Sequence, residues 1–315
     1  MHHHLAAFSF AVCITAAGLA AQGEVDSRST ARKGASVWLI NELTTDATVD
    51  IQGSEMSAST TTSRTLHLQV ADVDAEGNYL VEIEIVRVHG TYVAPDRQID
   101  IAFDSADGSV PTGMKKDLLA GAGMRFEAKV SPAGRLLELG EGTDALLTTT
   151  RGARANMHAP TRAGLVQIVT GAFGILPAKK TAGGAQWQLD CLRVVGMTPV
   201  LARVRATLSK VDLDTFEIDG TGTVDLDMDR IVELHGSSGA EAAETARQVR
   251  NTKVNSGKIV RKQVTSRADG FVESASETVE LDVEVEEPTT GAMASHIKMA
   301  NRWRRTTEAN ALPKQ

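Results

Sequence analysis

The chain has 315 residues, 42% of them hydrophobic and 23% charged, with a formal charge of −7. These proportions exclude a wholly disordered chain and allow one large or two modest cores. The acidic balance argues against nucleic acid or an anionic membrane as a main partner, since phosphate binding draws on clustered Lys and Arg. Only Arg302, Arg304 and Arg305 cluster, and a basic strand edge or a solvated tail accounts for them.

The N-terminus predicts export. After Met1-His2-His3-His4 the run Leu5 to Ala21 is apolar or small throughout and then turns polar at Gln22-Gly23-Glu24. Such a run is short for a membrane span, and small residues at Gly18, Ala20 and Ala21 suit a signal peptidase. Residues 1–22 therefore read as a signal peptide, cleaved after Ala20, Ala21 or Gln22. The n-region lacks Lys and Arg, so an uncleaved anchor or an imperfect start site is the alternative reading. Cys13 lies inside the apolar run and not in a lipobox. Cleavage leaves Cys191 alone, so no intramolecular disulfide forms; a buried, inert thiol is expected.

Residues 23–315 read as one β-rich domain with no separating linker. A first strand runs through Val37, Leu39 and Asn41 to about Thr45, with room to continue to Ile51. The run Ser57 to Thr65 has the composition of a linker but leads into an alternating segment, and Thr suits strands, so strand is predicted from Thr60. Leu66, Leu68 and Val70 alternate with polar residues before Asp74 to Asn78, and Val81, Ile83 and Ile85 alternate after it: a long hairpin with one wet face. Arms of that length accumulate twist, so the sheet should curl. Asp72, Asp74, Glu76 and Gly77 imitate the start of a calcium loop, but Ile83 stands where the twelfth-position Glu belongs; a turn is the expectation.

Gln98 to Phe103 reads as a short strand and Met114 to Ala122 as a short helix. Arg125 to Ser131 and Arg135 to Leu139 flank Pro132-Ala133-Gly134 as a second hairpin. The period then changes to helical within residues 142–177. A weak helix is expected over Asp144 to Arg154. A stronger one runs from a Thr161 cap to Leu176, stopped by Pro177, with Leu165, Ile168, Val169, Phe173 and Leu176 on one stripe and Gln167 on its polar face.

Strands return at Trp187 to Val195, Val200 to Val211 and Phe216 to Met228, the last with Asp225, Asp227 and Asp229 as an outward acidic row. Gly220-Thr221-Gly222 reads as a bulge in that strand. Residues 237–250 read as a short Ala-rich helix or mobile insert between strands. Lys258 to Thr265 and Phe271 to Val285 make a third hairpin across Ala268-Asp269-Gly270, and Ala294 to Thr306 is the final strand. The fold class expected is mainly β (α+β): a long curled antiparallel sheet, a half-barrel being one form it takes, with one amphipathic helix packed across it.

The ordered set Asp72 to Val88, Phe103-Asp104-Ser105, Phe126 to Leu139 and Ile175-Leu176-Pro177 before Trp187 resembles a bacterial exported family catalogued as domain of unknown function 6263. Members of that family show a Gly-Asp-Ser-Trp-like run where this chain has Gly184-Ala185-Gln186-Trp187, so the tryptophan matches and the acid is lost. The resemblance implies export and a β-rich fold, and it brings no catalytic residues.

The sequence offers no catalytic constellation: no HExxH, CxxC, P-loop or Gly-x-Ser-x-Gly, and His67, His89, His158, His235 and His296 are scattered. With aromatic residues at 4%, no stacked sugar-binding platform is apparent. No metal, cofactor or catalytic residue is expected. The leading expectation is a non-catalytic protein of the periplasm or exterior that binds a lipid or other apolar ligand in the concave face, in a groove near Leu165, Ile168, Val169, Phe173 and Leu176. The alternative is a structural or protein-interaction module of the bacterial cell envelope. Partners are then a hydrophobic ligand or an envelope protein, with no nucleic acid and no transmembrane segment after cleavage.

Overall fold

The computed structural model describes residues 31–151, 161–174, 176–177, 181–195, 198–235, 251–287 and 291–311. The expected signal peptide, the Ala-rich insert and the end of the weak helix lie outside them. Twelve strands form one antiparallel sheet: β1 (Ser36–Ile51), β2 (Ser54–Val73), β3 (Tyr79–Ala94), β4 (Ile99–Asp104), β5 (Arg125–Val130), β6 (Leu136–Leu139), β7 (Gln186–Val195), β8 (Thr198–Val211), β9 (Thr215–Asp225), β10 (Thr252–Ser266), β11 (Val272–Glu287) and β12 (Gly291–Thr306). Their order is β6-β5-β3-β2-β1-β12-β11-β10-β9-β8-β7, and β4 pairs with β3. β1 to β3 and β7 to β12 each run as a meander, and β12 returns to pair with β1 at the centre; β4 and β5 both pair with β3, and the consecutive β6 and β7 stand at opposite ends of the sheet.

Alternation builds this sheet, as expected for a surface buried on one side. Along β2 the inner Leu66, Leu68 and Val70 have no exposed surface, and on β3 neither do Val81 and Ile83. The strands run further than the apolar pattern does. β2 starts at Ser54, because Gln52 and Gly53, with φ of 55° and 84°, form the two-residue turn whose twist suits a hairpin. The whole Ser/Thr run is therefore strand.

The sheet curls. β7 and β11 stand four places apart in the strand order, about 19 Å along a sheet with strands ~4.8 Å apart. Nevertheless Arg193 of β7 donates to Glu277 of β11 at 2.6 and 2.7 Å, so the sheet has bent over its own concave face. Gly222 permits the close approach within the bend: a Cβ there would lie 1.9 Å from the Arg203 carbonyl oxygen. The expected bulge at Gly220 and Gly222 is absent, since β9 keeps a regular register with β10 throughout.

Five helices are described: α1 (Met114–Leu118), α2 (Thr143–Arg151), α3 (Arg162–Ala172), α4 (Met228–His235) and α5 (Glu308–Ala311). α3 packs against both end strands, β6 and β7, and so fills the seam that the open sheet leaves. Thr161 caps it, its hydroxyl oxygen accepting from the Gly164 amide at 3.0 Å. The helix ends at Ala172, four residues before the expected stop. Phe173 is already extended and bridges to Phe271, their rings 4.7 Å apart. Gly171 lets the Trp303 ring of β12 lie on the helix backbone.

Two further expectations are corrected. The strand expected to reach Met228 stops at Asp225, and a helix begins instead. Asp227 accepts from the Arg230 amide at the start of that helix and, with Asp225, holds Arg203 at 2.6 and 2.7 Å; the three aspartates are not one strand face. Gln167 does not sit on a wet helix face. It is 7% exposed, and its Oε1 accepts from the Val194 amide at 2.9 Å, satisfying a donor on the outer edge of β7 that no strand covers.

Candidate functional site

The concave interior is not uniformly apolar. One cluster gathers the inner residues of β1, β2, β3 and β5 around the Leu165, Ile168, Val169 and Ala172 face of α3, with Phe271 and Trp303. A second gathers the inner residues of β7 to β12, among them Cys191, Ile259, Val279, Leu281, Ile297 and Met299. Between them runs a belt of polar side chains at inward positions. On β12, Asn301 stands between Met299 and Trp303; on β11, Glu277 stands between Ala275 and Val279; on β10, Arg261 follows Ile259.

Within the belt Arg193 is the anchor. Its Nε and Nη2 donate to the two carboxylate oxygens of Glu277, and the side chains are 2% and 5% exposed. Arg261 donates to Gln263 Oε1 at 2.5 Å and reaches Glu277 at 3.5 Å, while Gln263 donates to Thr265 Oγ1 at 2.6 Å. Burial alone would push Glu277 up, but the two guanidiniums hold it below the usual carboxylate range. Burial alone would likewise lower Arg193, yet Glu277 raises it, whereas burial prevails at Arg261 and lowers it. Across the sheet Asn41 Nδ2 donates to Asn301 Oδ1 at 2.5 Å, and Arg64 Nη1 donates to Asn41 Oδ1 at 3.4 Å.

Past the belt the inner face of β1 and β2 is less covered, while Tyr92 and Ala94 of β3 and Phe103 of β4 stay buried in the first cluster. The inward residues of β1 and β2 are fixed by an unbroken register: Leu43 with Thr62, Ala47 with Ala58, Val49 with Met56. Leu43, Ala47, Val49, Ile51, Met56 and Ala58 are all half-buried, unlike their fully covered counterparts Leu39, Leu66 and Leu68 further along the same strands. Leu43 and Ala47 pack on the second cluster together with Leu226 and Val254. Those last two line a recess of about 480 Å³ where β10 continues past the end of its pairing with β9. This open end is the candidate site.

The groove expected beside α3 is placed differently. Leu165, Val169, Phe173 and Leu176 are at most 1% exposed and Ile168 is 7% exposed, so this stripe is core. Leu176 moreover belongs to a separate cluster with Ala206, Leu208, Phe216 and Ile218. Cys191 is buried, which raises its thiol pKa. Asp74 is occupied by its turn and by Lys129 at 2.8 Å, and Asp72 by Lys33 at 3.1 Å. Of the histidines, His67 stacks on Trp38 with ring centres 4.6 Å apart, and His296 meets Asp282 at 2.7 Å; these are surface pairs. The basic cluster is divided by the strand alternation. Arg302 and Arg304 project from the middle of the sheet into a shallow convex groove with Lys262, whereas Arg305 is held by Asp269 and Glu273 at 2.7 and 2.6 Å. β12 is no edge strand.

No known protein family and no curated protein matches the chain. Among solved structures, it is similar over 88% of its length to lipovitellin, in a structure described for lipid–protein interactions, at 10% identity and TM-score 0.46; the chain spans 25% of that protein. An outer membrane channel from Pseudomonas putida F1 aligns over 90% of this chain and all of that one at 7% identity and TM-score 0.23. A DUF1329 family protein from Desulfovibrio piger aligns over 87% of both chains at 10% identity and TM-score 0.15.

Proposed function

We propose that this is a non-catalytic exported protein that holds an apolar ligand against the open end of its concave face. The observation that carries the reading is the half-buried row of Leu43, Ala47, Val49, Ile51, Met56 and Ala58, interspersed with Thr45, Thr60 and Thr62, turned inward on a stretch of β1 and β2 whose outer residues from Glu42 to Asp50 and from Glu55 to Ser63 are polar. A wall of this kind in water is unfavourable unless something covers it, since each Å² of apolar surface removed from water contributes roughly 25 cal/mol. The polar belt closes the far end, so a ligand enters at the open end and stops at the belt. Export rests on the apolar run Leu5 to Ala21.

Native mass spectrometry of the protein purified from its own cell envelope tests both parts. The expected result is a mature chain starting between Ala21 and Gly23 that carries an extractable apolar molecule. A ligand-free chain would favour the envelope interaction module, and an intact Met1 on a cytoplasmic protein would remove the export claim.

A further inference from the structure

We infer that the ligand is an amphiphile with an acidic head group, and that Arg64 is the residue that reads the head. The inference rests on the reading that the open end takes an apolar ligand.

Arg64 stands on the inner side of β2, opposite Asn41, at the border between the covered residue Leu66 and the open wall. Its neighbours desolvate it enough to push its pKa down to about 10, with no carboxylate acting against that. A guanidinium has five N–H donors, and the only bond found for this one among the described residues is the long one to Asn41 Oδ1, 3.4 Å. The residue as a whole is half-buried. A desolvated cation with one long bond at an inward position is short of acceptors.

Other arginines within the curl and at its rim have a carboxylate. Arg193 has Glu277, Arg305 has Asp269 and Glu273, and Arg230 has Asp190 and Glu233. On the adjacent strand the nearest acid, Glu42, occupies an outward position by alternation, as do Asp46 and Glu55 further along the hairpin, and Asp104 of β4 is taken by Arg87. The belt adds to the imbalance, since Arg193 and Arg261 share the single carboxylate of Glu277. Among the described residues no inner-face carboxylate pairs with Arg64 where the apolar wall begins. A carboxylate or phosphate there would accept charge-assisted, bidentate bonds in a poorly hydrated setting. The chain attached to it would run along β2 from Arg64 to Met56, about 26 Å at ~3.3 Å per residue, which suits a long acyl chain.

The test is equilibrium binding of four probes to the full mature chain: dodecanoate, dodecyl phosphate, dodecanol and inorganic phosphate. Both anionic amphiphiles should bind about tenfold or more tighter than dodecanol, the gain expected of one charge-assisted contact, and inorganic phosphate should not compete with them. Arg64→Gln should bring the anionic amphiphiles down to the level of dodecanol, and Arg64→Lys should keep the preference. Equal binding of dodecanol and dodecanoate by the unmodified protein overturns the inference and leaves the apolar reading standing, whereas binding of none of the amphiphiles overturns both. Inorganic phosphate that competes as well as dodecyl phosphate would make this a free-anion site and overturn the amphiphile. If the Gln variant does not fold, the unmodified protein's ratio and the Lys variant decide.

Discussion

Glu277→Gln keeps the shape of the side chain and removes its charge. In the folded protein Glu277 is 5% exposed and bonded at 2.6 and 2.7 Å to an Arg193 that is 2% exposed, with Arg261 at 3.5 Å. Removing one partner of a buried pair leaves the other charged and unhydrated, which costs about 3–5 kcal/mol. A glutamine still accepts one bond, so a loss near 3 kcal/mol is expected, read as a shift of the denaturant midpoint at constant slope. Glu280→Gln, on the outer face of the same strand beside the exposed Lys258, should leave the midpoint where it is. The pH dependence has a definite sign. Glu277 has a lowered pKa in the fold, so its contribution is complete above the unfolded carboxyl value of about 4.3 and disappears as pH falls through the folded value. The gap between the unmodified protein and the variant should therefore be constant at neutral pH and shrink only in strong acid. A loss below about 1 kcal/mol, or a gap that does not change in acid, would mean that the belt is hydrated and would refute the buried-pair account.

Four other consequences are open to the same midpoint measurement or a simpler one. Phe173→Ala removes a 1% exposed ring packed on Phe271 and should cost about 3–5 kcal/mol, while Gln167→Ala orphans the Val194 amide and should cost about 1 kcal/mol or more; a negligible loss at Gln167 would show that the β7 edge is satisfied by water. Gly171→Ala should destabilise by about 1–3 kcal/mol, although alanine favours helix, because its Cβ would lie 2.4 Å from a Trp303 ring carbon; a gain in stability would mean that Trp303 moves aside freely. Cys191, buried and raised in pKa, should not react with a thiol reagent until the protein unfolds; rapid reaction in the native state would contradict its placement.

The sheet was legible because period-2 alternation survives in most strands, and β11 shows where that reading stopped short. Val279, Leu281 and Val283 mark the inner face; stepping back two residues reaches Glu277 and two more reaches Ala275, so the glutamate is in phase with the core. Treating every polar residue as outward hides such a group, and Arg64, Arg193, Arg261 and Asn301 were missed for the same reason. The signal was present in the phase, not in the residue type. The helix end at Ala172 was misplaced because Phe173 and Leu176 continue a helical spacing by chance, while the pairing of Phe173 with Phe271 that ends the helix is a contact across nearly a hundred residues that no local pattern contains. The candidate site lies at the far end of β1 and β2 and not at α3 because the Leu165 stripe packs into the first cluster while Ala163 and Val166 close the seam between β6 and β7, and only the curl of the sheet shows which apolar residues are left less covered.

The central claim is that the open inner wall of β1 and β2 is a binding surface, and blocking it is the direct test. Ala58 is half-buried on that wall, opposite Ala47 and at the margin of the first cluster, and the ring of Ala58→Trp would lie over the wall. Titration with a neutral apolar fluorophore, N-phenylnaphthylamine, should give saturable binding to the unmodified protein and about tenfold or weaker binding to the tryptophan variant, the size of effect that loss of a well-packed apolar contact produces, with the unfolding midpoint retained. Saturable binding that Ala58→Trp leaves unchanged, or no saturable binding to the unmodified protein, would contradict the account.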